Sequence, residues 1–188
     1  MGVMAVPPPT RILLVSGSTR SGSTNTAALR AIHEVAPDGI TTVLYDGLAG
    51  LPAFNPDDDG AEPPAAVAAM REQISAADAV VFCTPEYAGT LPGSFKNLLD
   101  WTVGDGGLYG KPVAWINVAN EGRGHGAQDT LLTVLGYVGA QVVEPACRRL
   151  PVSRDWVGPS GAITDPGFRA EMTGVAAALA GAVAAPAS

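Results

Sequence analysis

Arg11-Ile12-Leu13-Leu14-Val15-Ser16-Gly17-Ser18-Thr19-Arg20-Ser21-Gly22-Ser23-Thr24-Asn25-Thr26 joins a short, continuous apolar run to a loop in which eight of the eleven residues from Ser16 onward are Ser, Thr or Asn. A run that is apolar at every position, not every second one, reads as a strand covered on both faces of a parallel sheet. Ala28, Leu29, Ile32 and Val35 then recur at helical spacing. The polar loop therefore leads into a helix N-terminus, whose unpaired N–H groups and partial positive charge suit a phosphate. Its hydroxyls add further donors. Gly17 and Gly22 have the G-x-x-x-x-G spacing of a nucleoside-triphosphate loop, but Ser23 stands where that loop's lysine belongs. The dinucleotide pattern G-x-G-x-x-G fails too, since its second glycine falls on Thr19. Two readings remain: a lysine-free cradle for one terminal phosphate, or a Ser/Thr cap on an ordinary helix. Arg20, the cation within the loop, would neutralise that phosphate or lie on a flat ring at the cleft mouth.

The same pattern repeats along the chain. Ala79-Val80-Val81-Phe82-Cys83 and Pro112-Val113-Ala114-Trp115-Ile116-Asn117-Val118 are two more continuous apolar runs, and Ile40–Tyr45 and Gln141–Glu144 are weaker strand candidates. Helical spacing marks Val67, Met70, Ile74 and Ala77, then Phe95 to Trp101, Leu131 to Val138, and Phe168 to Leu179. Strict alternation of strand and helix implies a parallel sheet with right-handed crossovers and helices on both faces. In such folds ligands bind at the carboxyl ends of the strands, so function is expected in the loops after the first, third and fourth.

The 188 residues amount to one domain, expected over residues 11–184, between a flexible extension at 1–10 and a tail at 185–188. A net charge of −7 argues against nucleic acid and anionic membranes as general partners. High hydrophobic content, 47% against 15% charged, excludes disorder, so the 23 glycines and 16 prolines are expected to serve turns. Cys83 and Cys147 sit in no C-x-x-C or Cys/His cluster, so neither a metal site nor a disulfide framework is indicated. The N-terminal segment has no basic leader region, and the Ala-rich C-terminal run falls short of the ~20 residues that span a bilayer. A soluble, cytoplasmic protein is expected.

Two more loops carry chemistry. Thr84-Pro85-Glu86-Tyr87-Ala88-Gly89-Thr90-Leu91-Pro92-Gly93 is a stiff turn whose backbone N–H groups would meet the edge of a planar heterocycle. Tyr87 would pack on or beside that ring, or else under the following helix. Glu86 would shape the loop, pair with Lys96 or stand as a surface carboxylate. Asn117-Val118-Ala119-Asn120-Glu121-Gly122-Arg123-Gly124-His125-Gly126 alternates glycines with charge and is expected to be flexible. Neither His33 nor His125 has the neighbours of a catalytic acid or base, and Cys83 reads as core.

GSTRSGSTN at 17–25, LPAFNPD at 51–57, PEYAGTLPGSFKNLLDW at 85–101 and KPVAWINVANEGRGHG at 111–126 together resemble the NADPH-dependent FMN reductase family. The resemblance implies a flavodoxin-like three-layer α/β sandwich with a five-stranded parallel sheet in the order 2-1-3-4-5. It implies that Ser18, Arg20, Ser23, Asn25 and Thr26 hold the FMN phosphate. Pro85, Glu86, Tyr87, Ala88 and Gly89 would line the isoalloxazine ring, with Asn120 and Gly122 flanking it. Relatives resemble PEYN where this chain has Ala88, a change that removes a side-chain amide and keeps the backbone N–H. The implied activity is oxidoreduction: hydride passes from NADPH or NADH to FMN and then to a quinone, flavin, azo dye or metal-oxyanion acceptor. The chemistry resides on the flavin, so no catalytic side chain and no metal is expected. Arg20 and Arg123 are the cations available for the donor's phosphates. A flavodoxin-like electron carrier without NAD(P)H turnover is the alternative. A homodimer or homotetramer is implied as well, with Phe95 and Trp101 at the subunit contact or in the core.

Overall fold

The computed structural model describes residues 8–185. The expected extension at 1–10 and tail at 185–188 lie mostly outside these described residues. Thr10–Ser16 (β1), Ile40–Tyr45 (β2), Ala79–Cys83 (β3) and Pro112–Asn117 (β4) pair in parallel in the order β2-β1-β3-β4, and Gln141–Val142 (β5) lies next on β4. This is the order expected of a flavodoxin-like sheet. The helices are Thr24–Val35 (α1), Ala65–Ala76 (α2), Gly93–Trp101 (α3), His125–Tyr137 (α4) and Pro166–Ala184 (α5).

Side chains alternate across each strand, which is why the runs are apolar throughout. Ile12, Leu14, Val81 and Ile116 face a core with α1 and α5, while Leu13, Val15, Val80, Phe82 and Val113 face a second core with α2, α3 and α4. Phe95 and Trp101 are fully buried in that second core, which is the second of the two placements expected for them. Among the described residues no helix is long and apolar enough to cross a membrane.

The sheet departs from expectation at one edge. The fifth position is split: β5 ends at Val142, Glu144–Ala146 make a 3-10 turn, and Arg148–Arg149 (β6) rejoin β4 beside Ile116 and Asn117. The described residues thus form six strands, not five, and the strand expected over Gln141–Glu144 stops two residues early. Pro145 explains the break, because it has no N–H to give a ladder and starts a helical turn readily. The register sets Ser16 beside Cys83, Cys83 beside Ile116, and Asn117 beside Arg149. Three loops and the exit of β6 therefore emerge side by side at one end of the sheet.

Candidate functional site

The loop after β1 closes onto α1 through short-range bonds. Ser23 is the N-cap, its Oγ accepting from the Thr26 N–H at 3.4 Å, and its carbonyl takes the Ala27 N–H. The N–H groups of Thr24 and Asn25 have no partner among the described residues, so the helix end keeps donors for an anion. Ser16 and Thr26 share one hydroxyl bond at 2.8 Å, which leaves one of their two protons for another acceptor. Asn25 is buried, and its Oδ1 accepts from the Cys83 thiol at 3.3 Å, tying α1 to the end of β3. Burial pushes that thiol far above its ordinary range, so Cys83 is not a nucleophile. Ser18 accepts from the Arg20 N–H at 3.3 Å, and Arg20 itself is exposed at the rim. Gly17 is needed for close approach: a Cβ there would lie 2.6 Å from the Thr84 Cβ and 3.0 Å from the Phe95 ring.

After β3 the chain makes a two-residue hairpin. Tyr87 and Thr90 exchange N–H···O bonds of 3.0 and 3.1 Å across Ala88 and Gly89. Both turn residues have positive φ, 50° and 76°, the type I′ pattern that favours Asn-Gly. Among the described residues Ala88 is the one non-glycine in that region. The significance of Ala where relatives resemble PEYN is thus a strained backbone as well as a missing amide. Ala88→Asn is expected to raise stability by about 0.5–1 kcal/mol in chemical denaturation, since Asn tolerates the left-handed region that an alanine methyl resists. The hairpin lifts Tyr87 into the open, 55% exposed, instead of tucking it under α3. Gly89 and Gly122 present bare backbone, with nothing within 4 Å of where a Cβ would be.

The loop after β4 was expected to be flexible, and the structure corrects this. The buried Asn117 amide donates to the Gly124 carbonyl (2.9 Å) and to Gln128 (3.2 Å), while its Oδ1 accepts from the Ala119 N–H (3.0 Å). Arg149 donates to the Arg123 carbonyl (3.0 Å) and to Gln128 (2.6 Å), and lies 3.3 Å from the His125 Nδ1. Glu86 resolves its three readings in favour of shaping the loop. Its Oε2 accepts from the Ala127 N–H at 3.2 Å, capping the positive end of α4 from the opposite loop. Lys96 pairs with Asp100 instead. Thr90 and Thr130 add a hydroxyl bond of 2.9 Å between the same two elements.

The LPAFNPD segment is anchored, not free. Asn97 of α3 accepts from the Phe54 N–H (2.7 Å) and donates to the Pro52 carbonyl (2.8 Å), which also receives the Trp101 indole N–H (2.9 Å). Two residues near the C-terminal end of the family-like third motif therefore serve to hold the second.

Between these loops opens a cleft of about 710 Å³. Of the expected site residues, Asn25, Pro85, Glu86 and Asn120 line it, together with Thr24, Thr84, Arg123 and Arg154. Ser18, Arg20, Ser23, Thr26, Tyr87, Ala88, Gly89 and Gly122 are not among its lining residues and lie in the adjoining loops or, for Thr26, in the first turn of α1. A second, more open cavity of about 480 Å³ lies at the other end of the sheet, beside Asp78, Lys111 and Tyr109, away from all three loops. Two functional candidates escaped the sequence reading, Arg149 and Arg154. The signal available was the basic run Arg148, Arg149 and Arg154 late in an acidic chain.

A doubly wound parallel sheet with a helix N-terminus and a cleft at the strands' carboxyl ends defines a flavodoxin-like α/β protein. Residues 10–150 match the family model described as NADPH-dependent FMN reductase. The chain belongs to this family, whose members are oxidoreductases using FMN and NAD(P)H. It is 42% identical to an NAD(P)H-dependent FMN reductase of Pseudomonas aeruginosa over 115 residues, 60% of this chain and 61% of that protein. It is 34% identical to a quinone reductase of Escherichia coli over 170 residues, 87% of this chain and 90% of that protein. Among solved structures it is similar to the flavoenzyme FerB of Paracoccus denitrificans, an NAD(P)H:(acceptor) oxidoreductase, with a TM-score of 0.72, 26% identity, and coverage of 93% of this chain and 97% of that one.

Proposed function

We propose that this chain carries FMN and uses NAD(P)H to reduce a small acceptor, a quinone, flavin, azo dye or metal oxyanion. The observation that carries the reading is the meeting, at one end of the sheet, of a lysine-free helix N-terminus with unpaired N–H groups and a cleft between two loops of bare glycine backbone. These features fit a group with one phosphate and one flat ring. Ser18, Arg20, Ser23, Asn25 and Thr26 hold the phosphate. Pro85, Glu86, Tyr87, Ala88 and Gly89 bound the ring, with Asn120 and Gly122 on its other side. FMN supplies the hydride chemistry when bound, and the protein supplies position and electrostatics. Glu86 is engaged in capping α4, so it keeps the ring-binding hairpin in place and has no part in proton transfer.

The protein is proposed to act as a cytoplasmic homodimer or homotetramer. Exposed Val103, Tyr109 and Tyr137 offer apolar surface for that contact, with Tyr137 90% exposed and the Tyr109 ring against Gly139. Light scattering after size exclusion reads the state directly.

Purified protein is expected to be yellow, to bleach when NADPH is added anaerobically, and to sustain NAD(P)H oxidation with a quinone. A protein that stays colourless in added FMN overturns the reading. One that binds FMN but oxidises no NAD(P)H is an electron carrier instead.

A further inference from the structure

We propose that Arg123 and Arg154 form a clamp for a phosphate of the dinucleotide donor, with Arg149 as the positioning residue. The inference rests on the FMN reading, which assigns the flavin phosphate to α1 and leaves these arginines for a second ligand.

The charge distribution is the first observation. Four cations elsewhere are neutralised: Arg71 pairs with Asp59, Lys96 with Asp100, Arg148 with Glu171 and Arg169 with Glu34. Among the described residues neither Arg123 nor Arg154 has a carboxylate within 4.0 Å, although Glu121 and Asp155 are close in sequence. Two unpaired guanidinium groups in one cleft of a chain with net charge −7 form a local site for an anion.

The second observation is that both backbones are held while the side chains are left over. Arg123 donates its N–H to the Asn120 carbonyl at 3.0 Å, and its own carbonyl is held by Arg149. Arg154 follows the buried Val152, whose N–H donates to the Val118 carbonyl at 3.0 Å as the chain leaves β6. The Val157 N–H then bonds the Arg154 carbonyl at 3.2 Å, and Val157 pairs with Ile163. A planar guanidinium fork on a fixed backbone matches phosphate oxygens with little further ordering. The donor offers two such groups, its pyrophosphate and, in NADPH, the 2′-phosphate.

The test titrates 2′,5′-ADP and ADP into the FMN-loaded protein by calorimetry, and measures KM for NADPH and NADH, in Arg123→Ala, Arg154→Ala, Arg149→Ala and the control Lys96→Gln. Each clamp variant is expected to weaken nucleotide binding by about tenfold, in line with loss of a charge-assisted hydrogen bond. FMN content should stay unchanged in Arg123→Ala and Arg154→Ala, and Arg154→Lys should recover part of the affinity. Loss confined to 2′,5′-ADP and NADPH assigns the 2′-phosphate, whereas equal loss with ADP and NADH assigns the pyrophosphate. In Arg149→Ala the same loss should come with faster hydrogen exchange at residues 119–124, which a direct ligand contact alone would not produce. Unchanged nucleotide affinity in Arg123→Ala and Arg154→Ala overturns the proposal, as does a loss of FMN content in its place. Failure of the FMN reading looks different, since wild-type protein would then take up no FMN.

Discussion

Gly126→Ala should lower stability by about 2–3 kcal/mol and weaken FMN binding by roughly tenfold, the largest effect expected of so small a change. Gly126 lies in the first turn of α4, where alanine's backbone preference is as good as glycine's or better. The damage comes from space alone. A Cβ would overlap the Gly89 carbonyl oxygen, lie 2.8 Å from the Gly89 carbonyl carbon and stand 3.2 Å from the Glu86 Oε2. Two of those atoms belong to the backbone of a tight hairpin, which cannot swing aside as a side-chain tip can. The hairpin and α4 must part, and the Glu86 cap on Ala127 and the Thr90–Thr130 bond are lost with the contact. Denaturant unfolding with and without FMN, and flavin fluorescence titration, measure the two effects. Gly136→Ala is the control, because it lies in the same helix with nothing within 4 Å of the new methyl and should stabilise by about 0.5–1 kcal/mol. If both alanine variants shift alike, the argument from close approach fails.

Asn117→Ala should cost about 2–3 kcal/mol, since it deletes three hydrogen bonds from a buried amide and leaves their partners unpaired. The Gly124 carbonyl and the Ala119 N–H are the two ends of the loop that carries Asn120 and Gly122, so the loop should loosen as stability falls. FMN affinity is expected to drop with it. Asn117→Asp keeps the acceptor for Ala119 but loses the donor to Gly124, and it should remain destabilised. Unfolding curves for the three proteins, with hydrogen exchange at residues 118–124, check this. An alanine variant within about 0.5 kcal/mol of the parent would show that the amide is not what holds the loop.

What was legible in advance was local. Ser23 caps an N–H three residues away, so the start of α1 can be read from composition and spacing alone. The apolar runs of β1, β3 and β4 likewise announce burial on both faces, because each residue's side is set by the two-residue period of its own strand. The misreadings were also physical. Gln141–Glu144 looked like one strand because the cost of Pro145 falls on ladder bonds to β4, which no local pattern reveals. The glycines of 122–126 suggested a flexible loop because the groups that pin it, Asn117 and Arg149, act across the fold.

The sequence by itself determined the alternation of strands and helices, the absence of a triphosphate-loop lysine, and the three polar, glycine-rich loops that follow the strands, since all follow from neighbours within a turn or a strand. Only the tertiary structure decided that Glu86 reaches 41 residues to cap α4, that Ala88 sits at positive φ in a type I′ turn, and that Arg149 and Arg154 join the cleft. Those facts depend on which carboxyl ends the sheet sets abreast, and strand order is a property of packing between distant segments.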